Sequence, residues 1–574
     1  MEYSAIWHSA DKKYCFALEK GKILIRLKTK KGDMSEVILH FRYKYIPTNM
    51  FDTRQQVKMS LAASDRFNDY YEAVIDVDAI CVRYFFELTD TNGVKMFYCN
   101  HQFIENFTDD CDRMYDCPQN LREEEMFNIP AWAKNKVVYQ IFPSRFATSK
   151  DVPKDVWYKK PMHYRDDLQG DLRGIINHLD HINKLGIEVI YMTPIFYSLS
   201  CHKYDTIDYY KIDPSFGTED DLRELVEKAH ALGIKVILDA VFNHSGTNFF
   251  AFEDVLKNQE KSKYLDWYFI DKFPVKYERG KMERPNYLTF GYFGGMPKLN
   301  LKNEETAKYF LEVGKYWIRE FNVDGWRLDV GDEVSHVFWK KFRKAIKEVK
   351  EDALIIGEIW HYAGDFLEGD EWDSVMNYPF YYAVIDFVAA GTSTPSQFLG
   401  DLGFLRGNLH PDSYSCLLNL IDSHDTPRFM HQCKNKKKKH RLGAALQILS
   451  PGMPMIYYGD EFAMEGAHDP DCRRGMLWDE EYQDKKMFEW YCKLIQLRKE
   501  HPCVTDGDMI LNESDDDKGL LIYTKRYDDD ELTFIFHNNN ESVEIDAHVG
   551  EMNLLNGKKF DGAVKGYDVI VLKK

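Results

Sequence analysis

The chain has 574 residues, 44% hydrophobic and 29% charged, which is enough apolar material for sizeable cores and excludes a disordered chain. At about 150 residues per domain, this length suggests roughly four domains. A net charge of −18 argues against nucleic acid or anionic membranes as partners, because phosphate recognition needs a basic surface. Aromatic residues make up 15%, more than a core requires and suited to flat ligands such as sugar rings.

The first residues, MEYSAIWHSADKKYC, contain no apolar signal core. No stretch approaches the roughly 18 apolar residues of a membrane span. The 11 cysteines are scattered, and Cys111 and Cys117 lack both metal-site spacing and histidine partners, so no zinc is expected. Free thiols in a reducing cytoplasm are the expectation.

In chain order, residues 1–125 carry short alternating runs: Lys22 to Lys30, Ala73 to Val77 and Cys81 to Leu88. Turns at 31–33 and 91–93 separate them, which predicts a β-sandwich. Residues 128–132 (AsnIleProAlaTrp) read as a linker. Over 126–500, short apolar strands alternate with amphipathic helices. Eight strands are predicted: Val137–Pro143, Val189–Pro194, Val236–Val241, Gly325–Val330, Leu354–Ile359, Ser374–Pro379, Cys416–Asp422 and Met453–Gly459. Thr218 to Asp221 forms a capping box, and Asn303 caps a second helix. Eight β/α units predict a (β/α)8 TIM barrel with its chemistry at the C-terminal strand ends. Residues 245–300 are too many for one connecting loop and predict an inserted lid domain. Residues 501–574 return to a strand pattern and predict an antiparallel β domain. The lysine run at 434–439 and the aspartate runs at 515–517 and 528–530 read as solvated loops.

Polar residues gather where strands end: strand three gives Asp239, Asn243 and His244, strand four gives Arg327 and Asp329, strand five gives Glu358 and Trp360, and strand seven leads to His424 and Asp425. Residues two apart on a strand face the same way, so Arg327 and Asp329 project together. Acetal cleavage needs two carboxyl groups in opposite protonation states. Arg327 should keep Asp329 ionised, as a nucleophile requires. Glu358 lies between Ile356 and Trp360 on an apolar strand, where desolvation should raise its pKa, as a general acid requires. One buried Asp–Arg pair is ordinary, but polar strand ends in four separate units are hard to explain by packing, since unpaired buried charge is costly.

At these residues the sequence resembles the α-amylase family, glycoside hydrolase family 13. The blocks DAVFNH (239–244), GWRLDV (325–330), GEIW (357–360) and DSHDT (422–426) match four family regions in order. MPKLN (296–300), VVYQIFPSRF (137–146), HKYDTIDYY (202–210) and HDPDCRRGMLWD (468–479) resemble the neopullulanase, cyclomaltodextrinase and maltogenic amylase subgroup. The N-terminal region is similar to a family-34 carbohydrate-binding module. The resemblance implies Asp329 as nucleophile, Glu358 as acid/base and Asp425 as transition-state stabiliser. It implies substrate contacts from Tyr204, His244, Arg327, His424, Asp469 and Arg473, and Trp360 is placed to face the leaving group. Phe249, Phe250, Tyr287 and Phe293 are the lid aromatics available to sugars. The implied activity is retaining cleavage of α-1,4 links in cyclodextrins, pullulan, starch and maltodextrins by a homodimer, with transglycosylation to other sugars as a further outcome. A catalytically inactive binding protein on the same fold is the rival from another class, although no decay of the carboxylates or Arg327 is seen.

This sequence departs from the family at Ser144, where aspartate is common, and at Cys201, where the subgroup usually has asparagine. Subgroup members often bind calcium in the loop after strand one. Here that loop, residues 147–154, carries Lys150 and Lys154 ahead of Gly170 and Asp171, so neither calcium nor any other cofactor is expected.

Overall fold

The computed structural model describes residues 1–45, 54–77, 81–106, 113–117, 127–277 and 285–574. Cys111 and the boundary expected at 125/126 lie outside the described residues. The chain forms two compact units.

One unit comprises Met1–Ile129, Gly364–Gly369 and Ser393–Tyr414. One of its sheets is antiparallel and runs in the order Cys15–Glu19, Lys22–Lys30, Asn68–Asp76, Ser60–Ser64. The other has Met34–Tyr43 and Val82–Asp90 at its centre. Period-two alternation sends Ile23, Ile25 and Leu27 from the first sheet, and Leu39, Tyr84 and Phe86 from the second, into one shared core. On the opposite face Arg26 donates to Glu72 at 2.7 Å. Glu72 also accepts two bonds of 2.9 Å from Arg406, on the helix Pro395–Asn408. That helix opens with a Thr394/Gln397 capping box and packs against the strand Ser60–Ser64.

The other unit holds a closed barrel of eight parallel strands: β1 (Val138–Ile141), β2 (Val189–Met192), β3 (Lys235–Ala240), β4 (Gly325–Leu328), β5 (Leu354–Gly357), β6 (Ser374–Asn377), β7 (Leu418–Asn419) and β8 (Met453–Tyr457). Val138 paired with Met455 closes it. Seven of the eight strands fall inside the predicted segments and are shorter; β3 begins one residue earlier than predicted, at Lys235, and ends at Ala240. Pro143 starts a short helix, and Cys416 ends another, so β7 keeps only two residues. The Thr218/Asp221 capping box opens the helix Glu219–Ala231, and the Asn303 side chain accepts from the N–H groups of Glu305 and Thr306.

Between β3 and the helix Glu304–Phe321, the inserted segment carries the helix Phe250–Asn258 and isolated bridges rather than a sheet among the described residues. Its interior is aromatic: Phe249, Phe252, Trp267, Tyr268 and Tyr287 are buried. The last 67 residues build a six-stranded antiparallel sheet around Leu520, Ile522, Ile535, Ile570 and Leu572. The lysine run is more than a solvated loop. Lys437 to Lys439 begin the helix Lys437–Ile448, and the Lys439 ammonium donates to the carbonyls of Val388 and Ala389. Asp530 likewise accepts from the Cys503 N–H. Among the described residues, no helix is long and apolar enough to cross a membrane.

Candidate active site

The strand ladder builds the centre of the site. Asp239 on β3 pairs in register with Arg327 on β4, and Arg327 with Ile356 on β5. One residue past the ladder, the Glu358 N–H donates to the Leu328 carbonyl at 3.0 Å, so Glu358 and Asp329 leave adjacent strands side by side. Neighbouring strands lie about 4.8 Å apart, which sets the scale of that separation. Arg327 is fully buried and binds three carboxylates. Nη1 donates to Asp329 Oδ1 at 2.9 Å and to both Asp239 oxygens at 3.0 and 3.1 Å, and Nη2 pairs with Glu358 Oε1 at 2.8 Å.

Past Asp329 the chain turns sharply. Val330 takes φ 47°, a strained value for a β-branched residue, and its N–H donates to Glu358 Oε2 at 2.8 Å. Behind this turn lies the buried Trp372 ring. A Cβ on Gly357 would come within 2.1 Å of that ring, and one on Gly331 within 2.8 Å, so both positions require glycine.

A second group comes from loops. The Gln140 amide, as oriented, donates to His424 Nδ1 at 2.8 Å, which places the imidazole proton on Nε2. That proton points to Tyr204 Oη at 2.5 Å, and the Tyr204 hydroxyl donates to Asp239 Oδ2 at 3.1 Å. The Tyr204 and His424 rings are near-parallel, with centroids 5.6 Å apart. Asp425 is half-buried; its Oδ2 lies 3.1 Å from His424 Nε2, and its Oδ1 accepts from Arg473 Nη2 at 3.0 Å. Arg473 also approaches Asp469 at 3.6 Å, and Asp469 accepts from Tyr164 Oη at 3.2 Å.

His244 sits at the lid side. Its ring stacks on Phe290 at 5.1 Å, and its buried Nε2 has no hydrogen-bond partner among the described residues. Trp360 is 41% exposed; one indole face covers Tyr378 at 4.1 Å, and Nε1 reaches Glu358 at 3.4 Å. Of the four lid aromatics, Phe249 and Tyr287 are buried, Phe249 against Tyr209 and Phe310 and Tyr287 against Phe252, whereas Phe250 and Phe293 are exposed.

Electrostatics divide the carboxylates. Burial raises Asp329, Glu358 and Asp239 above the ordinary carboxylate range, with Arg327 opposing. The rise at Glu358 is the one expected. The rise at Asp329 corrects the expectation that Arg327 would keep it ionised: one guanidinium charge faces three buried carboxylates that repel one another. Asp425 moves the other way. Burial pushes it up, but His424, Arg473 and Arg327 outweigh that and lower it. Because burial drops His424 to about 3, its imidazole is neutral near pH 7, and the two arginines are the charges that hold Asp425 ionised. Burial and then the Lys298 ammonium likewise lower His244 to about 3.

The sequence reading assigned no role to Asp239, Gln140, Phe290, Lys298, Glu333 or Trp372. Asp239 and Gln140 carried a signal, each being a polar residue inside an apolar barrel strand, and Lys298 stood in the MPKLN block; Phe290, Glu333 and Trp372 meet the site only through tertiary packing.

In the loop after β1, the Asp171 carboxylate already accepts from the Ser149 N–H and hydroxyl and from the Gly174 N–H, at 2.7–3.1 Å for the closest oxygen in each case. Lys150 Nζ lies 3.9 Å from Asp171 Oδ2 and donates to the Ser215 carbonyl at 3.0 Å.

Residues 140–482 match the family described as "Alpha amylase, catalytic domain", and residues 1–119 match "Alpha amylase, N-terminal ig-like domain". The chain is 40% identical over 569 residues to a cyclomaltodextrinase of Geobacillus thermopakistaniensis (strain MAS1), covering 98% of this chain and 96% of the relative. It is 39% identical over 575 residues to neopullulanase 2 of Thermoactinomyces vulgaris, covering 99% and 96%. Against the intracellular maltogenic amylase of Bacillus subtilis (strain 168), identity is 36% over 587 residues, covering 100% and 98%. A solved cyclomaltodextrinase structure superposes over 100% of both chains with a TM-score of 0.93 and 36% identity.

Proposed function

This chain belongs to the α-amylase family and is a glycoside hydrolase; on that premise we propose that it cleaves α-1,4 links in cyclodextrins, pullulan, starch and maltodextrins with retention of configuration. A glucosyl unit lies against Tyr204, its hydroxyls meeting His244, His424, Asp425, Asp469 and Arg473. Asp329 attacks the anomeric carbon while Glu358 gives its proton to the departing oxygen. Asp329 is then esterified to the sugar, and Glu358, now ionised, deprotonates the water that displaces it. The Arg327 guanidinium, bonded to Asp329 Oδ1 at 2.9 Å, favours the ionised carboxylate that attacks.

One observation carries this reading: Asp329 and Glu358 occupy adjacent nitrogens of the Arg327 guanidinium at 2.9 and 2.8 Å. That closeness suits the roughly 5–5.5 Å carboxyl separation of a retaining enzyme rather than the wider gap that admits a water in inverting ones. The exposed face of Trp360 beside Glu358 offers an acceptor sugar a stacking surface, which favours transfer as a second outcome. The names of the relatives support the substrate class. The relative named as intracellular supports a cytoplasmic location. A homodimer belongs to the same proposal, and light scattering would read it as twice 67.6 kDa.

The donors around Asp171 do not suit calcium, since its oxygens are taken by N–H and O–H groups beside an ammonium. We therefore propose that the loop after β1 works without it. Product chromatography from β-cyclodextrin, pullulan and starch in parallel tests the function: ring opening with panose from pullulan supports it, and no cleavage of any of the three rejects it.

A further inference from the structure

The geometry points to Lys298, in the segment by which the chain leaves the lid, as a positioning residue that ties the lid to both sides of the catalytic centre. This inference rests on the assignment of Asp329 and Glu358 above.

Pro297 to Leu299 run antiparallel beside Asn243 to Ser245. The Leu299 N–H donates to the Asn243 carbonyl at 3.0 Å, the Ser245 N–H donates to the Pro297 carbonyl at 3.1 Å, and His244 bridges Lys298. The Lys298 side chain crosses from this ribbon to the β4 turn. Its Nζ donates to Asn243 Oδ1, to Glu333 Oε2 at 3.0 Å and to the Glu333 carbonyl at 3.1 Å. Three oxygens from two elements therefore use all three donors of one ammonium.

Each element anchored this way meets a functional group. Asn243 Nδ2 lies 3.3 Å from His244 Nδ1, and His244 carries the unpartnered Nε2. Glu333 closes the turn Gly331–Glu333, which follows the left-handed Val330. That turn holds Glu358 at two points: the Val330 N–H donates to the Glu358 carboxylate at 2.8 Å, and the Gly331 N–H to its carbonyl at 3.1 Å. A strained turn persists only if its surroundings hold it, and Lys298 supplies such a hold from the lid. The Lys298 charge also acts with burial to keep His244 neutral. Lys298 is half-buried, so solvent reaches the site its side chain would vacate.

The test is chemical rescue in the full-length enzyme, read on β-cyclodextrin. Lys298→Ala should lower kcat by about 10- to 100-fold with little change in KM, the scale expected when reacting groups shift by about 1 Å. Propylammonium should restore kcat with saturation, and tetramethylammonium, which cannot donate, should not. Lys298→Arg should retain more activity than Lys298→Ala. If Lys298→Ala does not fold, Glu333→Ala and Lys298→Arg/Glu333→Ala carry the test, and losses that simply add overturn the role. Wild-type kcat in Lys298→Ala, or a loss that propylammonium leaves untouched, also overturns it. Asp329→Asn run alongside separates the two levels: an active Asp329→Asn rejects the site assignment and this inference with it, whereas an inactive one beside a fully active Lys298→Ala rejects only the role of Lys298.

Discussion

The β3–β5 strand ends and the loops after β7 and β8 both present acidic groups to the same site, yet they treat them in opposite ways. At the strand ends, Asp239, Asp329 and Glu358 share one guanidinium, are buried, and are raised. In the loops Asp425 pairs with Arg473 at 3.0 Å, is half-buried, and is lowered. The difference follows from counting charges against burial. Three buried acids sharing one fixed cation favour their protonated forms, which suits a centre whose task is to pass a proton; an acid paired with a cation in the loops favours its ionised form, which suits stabilising a positive transition state.

The largest way to break this contrast is to remove the reacting groups. Asp329→Asn and Glu358→Gln should each lower kcat on β-cyclodextrin by at least about 10³-fold. They should part on an aryl glucoside with a good leaving group: Glu358→Gln recovers part of its first step, because little proton donation is needed, and Asp329→Asn does not. Equal recovery would erase the distinction between nucleophile and acid.

Next come the arginines. Arg327→Met leaves three buried carboxyls without their cation and should destabilise the fold by about 3–5 kcal/mol, read by chemical denaturation. Arg473→Gln should cost less stability than Arg327→Met, because it leaves one half-buried carboxyl rather than three buried ones without a cation, and it should raise the pKa of Asp425, moving the acid limb of kcat/KM to higher pH. A larger loss of stability from Arg473→Gln than from Arg327→Met would reverse the comparison.

The strand-end set was partly legible in the sequence, because the β ladder dictates it. Arg327 and Asp329 lie two apart on one strand, and the strand ends gather by barrel topology. What stayed hidden was the balance between burial and pairing at Asp329, since periodicity shows that a residue is buried but not how many like charges it meets there. Asp239 stood in a recognised block, but its partnership with Arg327 depends on the β3–β4 register. The helix Pro395–Asn408, which packs on the sheet Cys15–Asp76 rather than sitting in a β/α unit, was not foreseen either: its partners Glu72 and Tyr70 are more than 300 residues away. Lys298 stood in the MPKLN block, but its meeting with Glu333 depends on a lid path that no local pattern reveals.

A smaller effect sharpens the contrast through linkage. A carboxyl raised in the folded state adds stability below its unfolded pKa and loses it as pH rises through the folded value. Glu358→Gln should therefore be more stable than the wild type at neutral and alkaline pH, by about 1 kcal/mol or more, with the gain fading toward pH 4. Asp425 has the opposite sign: its contribution is present above the ordinary aspartate pKa and falls away as pH drops below it. Thermal melts of Glu358→Gln and Asp425→Asn across pH should diverge accordingly, and parallel curves would contradict the division. The smallest expected effect is that of EDTA, which should move Tm by less than about 1 °C. A substantial loss restored by calcium would show that the loop after β1 binds the ion.

The most direct measurement is to trap the intermediate. Glu358→Gln, incubated with a fluorinated α-glucosyl fluoride, should accumulate one covalent sugar, and peptide mass spectrometry should place it on Asp329. An adduct on Asp425 or Glu358, or rapid turnover with inverted product and no adduct, would contradict the account.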